Sequence, residues 1–282
     1  MWEEKICLAL SNDFGVTEKE QIETFKKVGF DGFFASFEKG KDLKFLKQIG
    51  DAEGMLFQSV HAPFGGMQFM WFDEGMSKHA VNELVECIEK TAEIGVSIVV
   101  MHAIIGCMDR MPTDLGFKNI DDVVKKAEEC GVKLAFENTE GEQFLSAVME
   151  RYKGNSTVGF CWDTGHEVCY NHGQDMMALY GDRLLCTHFN DNLGIKDYNG
   201  AITYLDDLHL LPFDGVVDWQ GVAKRLNRHN YQGELTFELD RKSKPNRYEN
   251  DVYGKMEFIE YITEAFKRAC KVAYLKRNNK DI

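Results

Sequence analysis

The sequence predicts an α/β fold, an eight-stranded parallel (β/α)8 barrel, on three observations. Short β-branched or aromatic runs alternate with longer charged, amphipathic segments along the chain. Eight strand–helix units can be counted, and such alternation implies parallel strands joined by right-handed crossovers. No glycine-rich phosphate loop follows the first strand, which favours a closed barrel over a doubly wound open sheet.

In order, the first three strands are expected at Lys5–Ser11, Gly32–Phe37 and Leu56–Pro63. Ser77–Ile94 follows as a helix, with apolar residues returning every three or four positions, and leads into a strand at Ser97–Ala103. Phe117–Cys130 has the same helical period and precedes the strand Lys133–Asn138. The remaining strands are Thr157–Asp163, Leu184–Phe189 and Glu234–Leu239. Gly29, Gly95 and Gly131 each close a helical pattern before a strand, where a left-handed residue ends a helix. The connection from Asn192 to Val217 is unusually long, and such loops in compact domains usually carry function. The amphipathic segment Met256–Leu275 offers a face on which a second copy could pack in a homo-oligomer.

At 282 residues the chain suits one barrel domain, residues 1–282, since α/β barrels of about 250 residues are common. Only four prolines occur and no stretch resembles a linker. The acidic N-terminus lacks the basic region of a signal peptide, and no apolar run approaches the ~20 residues of a membrane span. The eight cysteines are scattered without a CxxC pair, as in reduced cytoplasmic proteins. A formal charge of −13 disfavours a nucleic-acid partner bound mainly through phosphates. A cytoplasmic enzyme with no membrane partner is the expectation.

Residues at the C-terminal strand ends of such a barrel face the active site. Here those ends carry His61, His102, Glu137, Asp163 with His166, His188 and Glu238, and the long loop adds Asp207 and His209. A lone histidine after an apolar run is more often a satisfied core residue than a ligand. Five of the eight histidines share this face, however, whereas His79, His172 and His229 have surface-type contexts. Carboxylates that each close an apolar strand are costly to bury without a partner, and a divalent cation removes that cost. The core ligand set is read as Glu137, Asp163, His188 and Glu238, one from each of strands five to eight. His61, His102, His166, Asp207 and His209 form a second ring for substrate or additional metal. Oxygen with one imidazole suits Mn²⁺, Mg²⁺ or Co²⁺, and a histidine-rich set suits Zn²⁺.

These segments resemble the xylose-isomerase-like TIM-barrel superfamily over nearly the whole chain. That group holds sugar and sugar-phosphate isomerases and epimerases, and apurinic-site endonucleases of the endonuclease IV type. Its single-metal members use a Glu, Asp, His, Glu set that falls on Glu137, Asp163, His188 and Glu238. Its DTxH segment matches Asp163-Thr164-Gly165-His166, whose histidine commonly touches substrate. The three-zinc ligands of the nuclease branch would fall on His61, His102, Glu137, Asp163, His166, His188, Asp207, His209 and Glu238, all of compatible type. The nucleases carry a glycine-rich run after the strand-five Glu, where this chain has Glu140-Gly141-Glu142.

The resemblance implies a metal-dependent isomerase or epimerase of a small sugar or sugar phosphate. Glu137 and Glu238 would serve as the acid/base pair for proton transfer through an enediolate. The alternatives are a zinc phosphodiesterase and a metal-bearing binding protein without turnover. Trp71 and Phe64 are candidates to cover apolar substrate faces. Lys196, Arg241, Lys242 and Lys244 lie near top-face loops where a phosphate could bind.

Overall fold

The computed structural model describes residues 4–106, 109–195 and 202–279. Eight parallel strands run β1 (Ile6–Ala9), β2 (Gly32–Ser36), β3 (Leu56–His61), β4 (Ile98–His102), β5 (Lys133–Glu137), β6 (Val158–Asp163), β7 (Leu184–His188) and β8 (Leu235–Phe237). Their sheet order is β7-β6-β5-β4-β3-β2-β1-β8. Phe189 closes the ring: its N–H donates to Thr236 O at 2.8 Å, and its carbonyl accepts from Glu238 N at 3.2 Å. The expected (β/α)8 barrel is therefore the observed one.

Helices α1 (Glu18–Val28), α2 (Leu43–Glu53), α3 (Met67–Phe72), α4 (Glu74–Glu93), α5 (Asp114–Cys130), α6 (Glu142–Arg151), α7 (Thr164–Cys169), α8 (Met176–Tyr180) and α9 (Trp219–Arg228) lie between the strands, and α10 (Asp251–Gly254) and α11 (Phe258–Asn278) follow β8. The expected helices begin three residues earlier than their apolar period suggests. Asp73 caps α4 by accepting from Gly75 N and Met76 N, and Thr113 caps α5 by accepting from Gly116 N. The apolar face of α11 is spent inside the chain, where Phe258, Tyr261, Ile262, Ala265, Ala269 and Val272 are buried in the core. Among the described residues, no helix is long and apolar enough to cross a membrane. The seven described cysteines are free thiols; Cys107 lies outside the described residues.

Strand β5 stops one residue short of its expected end because a polar side chain replaces the ladder. Asn138 leaves β5 and pairs with the backbone of Asp163, accepting from its N and donating to its O, each at 2.8 Å. The long connection after β7 is organised by buried Asp191, whose carboxylate accepts from Phe213 N, Val217 N and Trp219 Nε1 at 2.8–3.0 Å. An antiparallel bridge between Asp191 and Leu210 turns that loop back over the barrel mouth.

Candidate metal centre

Ladder register brings the polar strand ends together. His102 lies opposite Glu137 across β4 and β5, and Asp163 lies opposite His188 across β6 and β7. Glu137, Asp163 and His188 are at most 1% exposed, and Glu238 keeps 28% of its side chain accessible. His188 Nδ1 sits 3.1 Å from Glu137 Oε1 and 3.0 Å from Glu238 Oε2. His61 Nε2 and His102 Nε2 each stand 3.3 Å from the other oxygen, Glu137 Oε2.

The outer hydrogen bonds of these imidazoles decide what the inner atoms can do. His61 Nδ1 lies 2.8 Å from Ala62 O and His166 Nδ1 lies 3.0 Å from Asn138 O. A carbonyl only accepts, so in the neutral rings Nδ1 carries the proton and Nε2 presents a lone pair. Those lone pairs face Glu137 Oε2 and Asp207 Oδ2, each at 3.3 Å. An imidazole lone pair facing a carboxylate is repulsive unless a proton or a metal cation lies between them. The carbonyls thus orient the rings as ligands are oriented in metal sites.

Four overlapping clusters of ligand atoms result among the described residues, each with its atoms within 4.8 Å of one another, and three of them consist of carboxylates and imidazoles alone. One is His61, His102 and Glu137; a second is Glu137, Asp163, His188 and Glu238; a third is Asp163, His166 and His209. The second is the core set expected from the sequence. Asp207 adjoins the third, with Oδ2 3.0 Å from His209 Nε2, while its buried Oδ1 has no hydrogen-bond partner. That orphaned oxygen, and the mixed carboxylate–imidazole donors, fit a divalent ion. Cys161 adds a thiol close to Glu137 and His188, a neighbour that its apolar sequence context concealed.

Electrostatics state the same conflict. Burial lifts Asp163, which is pushed up to about 7. Burial opposes ionisation of Glu238 too, but His188 overrides it and holds the carboxyl at about 2. His209 is desolvated, yet Asp207 beside it pushes its imidazolium up to about 10. Burial likewise works against charged His188 and His166, but Glu137 raises the first and Asp163 with Asp207 raise the second, both well above the ordinary range. Without a metal, protons on these rings carry the compensating charge.

Supporting residues escape a reading by strand ends. Asn190 Nδ2 donates to Asp163 Oδ2 at 2.7 Å, and Asp163 Oδ1 accepts from His166 N at 2.6 Å, so both carboxylate oxygens are aimed. Gly165 makes room for this: a Cβ there would stand 1.8 Å from Asn190 Oδ1. His209 adopts a left-handed φ of 46°, uncommon for a side-chain-bearing residue, while its ring meets Asp207.

A cavity of about 660 Å³ opens above the clusters, lined among others by Phe64, Glu140, Tyr170, Asp207, Asp240 and Lys244. Phe64 is 44% exposed and stacks on His102, whereas Trp71 is a core residue. Trp71 Nε1 donates to Ala103 O at 2.7 Å and its ring packs against Gly116, so it does not cover substrate as expected. Arg241 donates to the carbonyls of Phe14, Tyr253 and Met256, which spends it on loop structure. Lys242 is solvent-exposed beside Asp13, and Lys196 lies outside the described residues.

The sequence model of the family described as "Xylose isomerase-like TIM barrel" matches residues 22–261. An uncharacterized protein of Sinorhizobium fredii, y4fM, is 28% identical over 230 residues, covering 70% of each chain. The D-psicose 3-epimerase of Clostridium cellulolyticum H10, solved with D-tagatose, superposes with a TM-score of 0.67 at 14% identity, covering 99% of this chain and 100% of that one. IolI protein with a bound zinc atom superposes with a TM-score of 0.71 at 18% identity, covering 95% and 98%.

Proposed function

The chain belongs to the xylose isomerase-like TIM-barrel family, and from that premise we propose that it is a divalent-metal-dependent isomerase or epimerase of a small sugar. The observation that carries this reading is the pair Glu137 and Glu238, which meet on His188 Nδ1 and both line the 660 Å³ cavity. That volume lies within the range of small-molecule sites. Sharing a fold with a sugar epimerase and with a zinc-bearing protein supports the reading.

Glu137, Asp163, His188 and Glu238 would hold the ion, which polarises carbonyl and hydroxyl oxygens and eases negative charge beside the reacting carbon. The residues themselves divide the remaining work. Asp163 is fixed by Asn190 and by the His166 backbone, so it positions and does not move protons. Glu137 has both oxygens engaged by imidazoles, which weakens it as a base. Glu238 engages one oxygen with His188 and remains partly accessible, so it is the stronger candidate to take or return the proton. His61, His102, His166, Asp207 and His209 would bind hydroxyl groups, or further metal.

A second reading, a zinc-clustered phosphodiesterase, is favoured by one observation: three carboxylate–imidazole clusters are linked in series, the first to the second through Glu137 and the second to the third through Asp163. Against it stands Glu140, an acidic residue on the cavity wall where a phosphate backbone would approach. Glu142 accepts from Tyr180 Oη at 2.7 Å and is absent from that wall.

The test is a panel of aldoses and ketoses with the chain loaded with Mn²⁺, Co²⁺, Mg²⁺ or Zn²⁺. The reading expects sugar interconversion that chelation removes and metal restores. Phosphodiester hydrolysis with three bound zinc ions and no sugar turnover would establish the second reading instead.

A further inference from the structure

Beyond the metal clusters, the cavity wall ends in a charged pair from the loop after β8. Lys244 Nζ lies 2.8 Å from Asp240 Oδ2, and each side chain is about one-fifth exposed, at 23% and 22%. Both line the cavity beside Glu238 and His209. The backbone of Asp240 is held from three directions: its N–H donates to His209 O at 2.9 Å, and its carbonyl accepts from Asn250 Nδ2 and Tyr261 Oη at 3.0 and 3.1 Å. The carboxylate therefore projects from a rigid anchor, with a donor and an acceptor presented side by side.

Such a pair matches two neighbouring hydroxyls, because the carboxylate accepts from one O–H and the ammonium donates to the other oxygen. It matches a phosphate poorly. Lys244 is the only Lys or Arg on the cavity wall among the described residues, and Asp240 already neutralises it. A dianion placed there would also meet Glu238, with Glu140 elsewhere on the wall. Arg247, the next cation along the loop, is engaged by Glu249 and Asp206.

We propose that Asp240 and Lys244 form a diol clamp for the terminal hydroxyls of the substrate, and that this clamp selects free sugars over their terminal phosphate esters. The proposal rests on the sugar reading above and names its substrate class. Neither residue belongs to the ligand clusters, so each can be changed with metal content as an independent control.

Calorimetry on the metal-loaded chain uses D-fructose, D-glucose and D-mannose, each against its 6-phosphate. The clamp expects at least one free sugar to bind about tenfold or more tightly than its ester. Asp240→Asn releases Lys244 and should shrink that ratio at least about tenfold, with metal content unchanged. Lys244→Met should weaken the free sugar without helping the ester. An ester preferred by the unaltered chain, or a ratio unmoved by Asp240→Asn, overturns the clamp and leaves the sugar reading intact. Binding of none of the six compounds overturns both.

Discussion

On β4, β5, β6 and β7 the inward positions at the barrel mouth are His102, Glu137, Asp163 and His188. Two residues earlier the same strands carry Val100, Ala135, Cys161 and Cys186, which form a small apolar cluster beneath them. Both layers are buried, yet burial acts on them in opposite directions. Removing the lower layer from water stabilises the barrel at about 25 cal/mol per Å² of apolar surface. Removing the upper layer from water costs energy unless charge is compensated there. A single strand thus carries an apolar layer and an ionisable layer two positions apart, and each layer should respond to its own kind of change.

The largest separation is expected in turnover. Glu137→Gln and Glu238→Gln should each lower kcat by about 1,000-fold or more, since the amide keeps an oxygen but loses basicity. Metal content should fall much less. Steady-state assays with elemental analysis check this, and unchanged activity in either variant removes that residue from proton transfer.

Next comes the metal itself. His188→Ala should weaken metal binding by more than about 100-fold, beyond the range typical of outer-layer changes. His79→Ala and His229→Ala should leave it intact, because His79 is exposed on α4 and His229 pairs with Asp182 at 2.8 Å. Equal metal content in all three would break the comparison at its upper layer.

How much of this was legible depended on where the physical conflict sits. Glu137, Asp163 and Glu238 each close an apolar run, and that contradiction between burial and charge is written in the local sequence. Asn190 and Gly165 resemble ordinary turn residues, since their task lies in reaching Asp163 and admitting that reach across β6 and β7. Trp71 misleads for a different reason: Gly116, far along the chain, opens the slot that buries it, and nothing beside Trp71 in the sequence marks that slot. The strand alternation was readable throughout, but the caps Asp73 and Thr113 lie upstream of the apolar period and displaced both helix starts.

Proton competition should sharpen the upper layer further. His209 is pushed up to about 10, so at neutral pH its ring is protonated in the metal-free chain. A metal binding there must expel that proton, so affinity should rise as pH rises towards 10 and fall on acidification, by about tenfold per pH unit for each proton displaced. Calorimetry in buffers of different ionisation enthalpy should register proton release at pH 7; none would argue against a ligand role for His209.

The smallest effect belongs to the lower layer. Val100→Ala should cost about 2 kcal/mol in unfolding free energy through lost burial and a residual cavity. Metal content and kcat should change little, as thermal denaturation and a parallel assay would show. A large loss of metal in this variant would mean that the two layers are not separable.

Turnover in deuterated water tests the central claim most directly. The metal-loaded chain is supplied with a sugar it converts, and the product is examined by mass spectrometry. Proton transfer by Glu137 and Glu238 predicts solvent deuterium at the reacting carbon, with conversion abolished by chelation. Full conversion with no deuterium at that carbon would contradict exchange of the transferred proton with solvent and point to a hydride shift or a proton shielded from solvent.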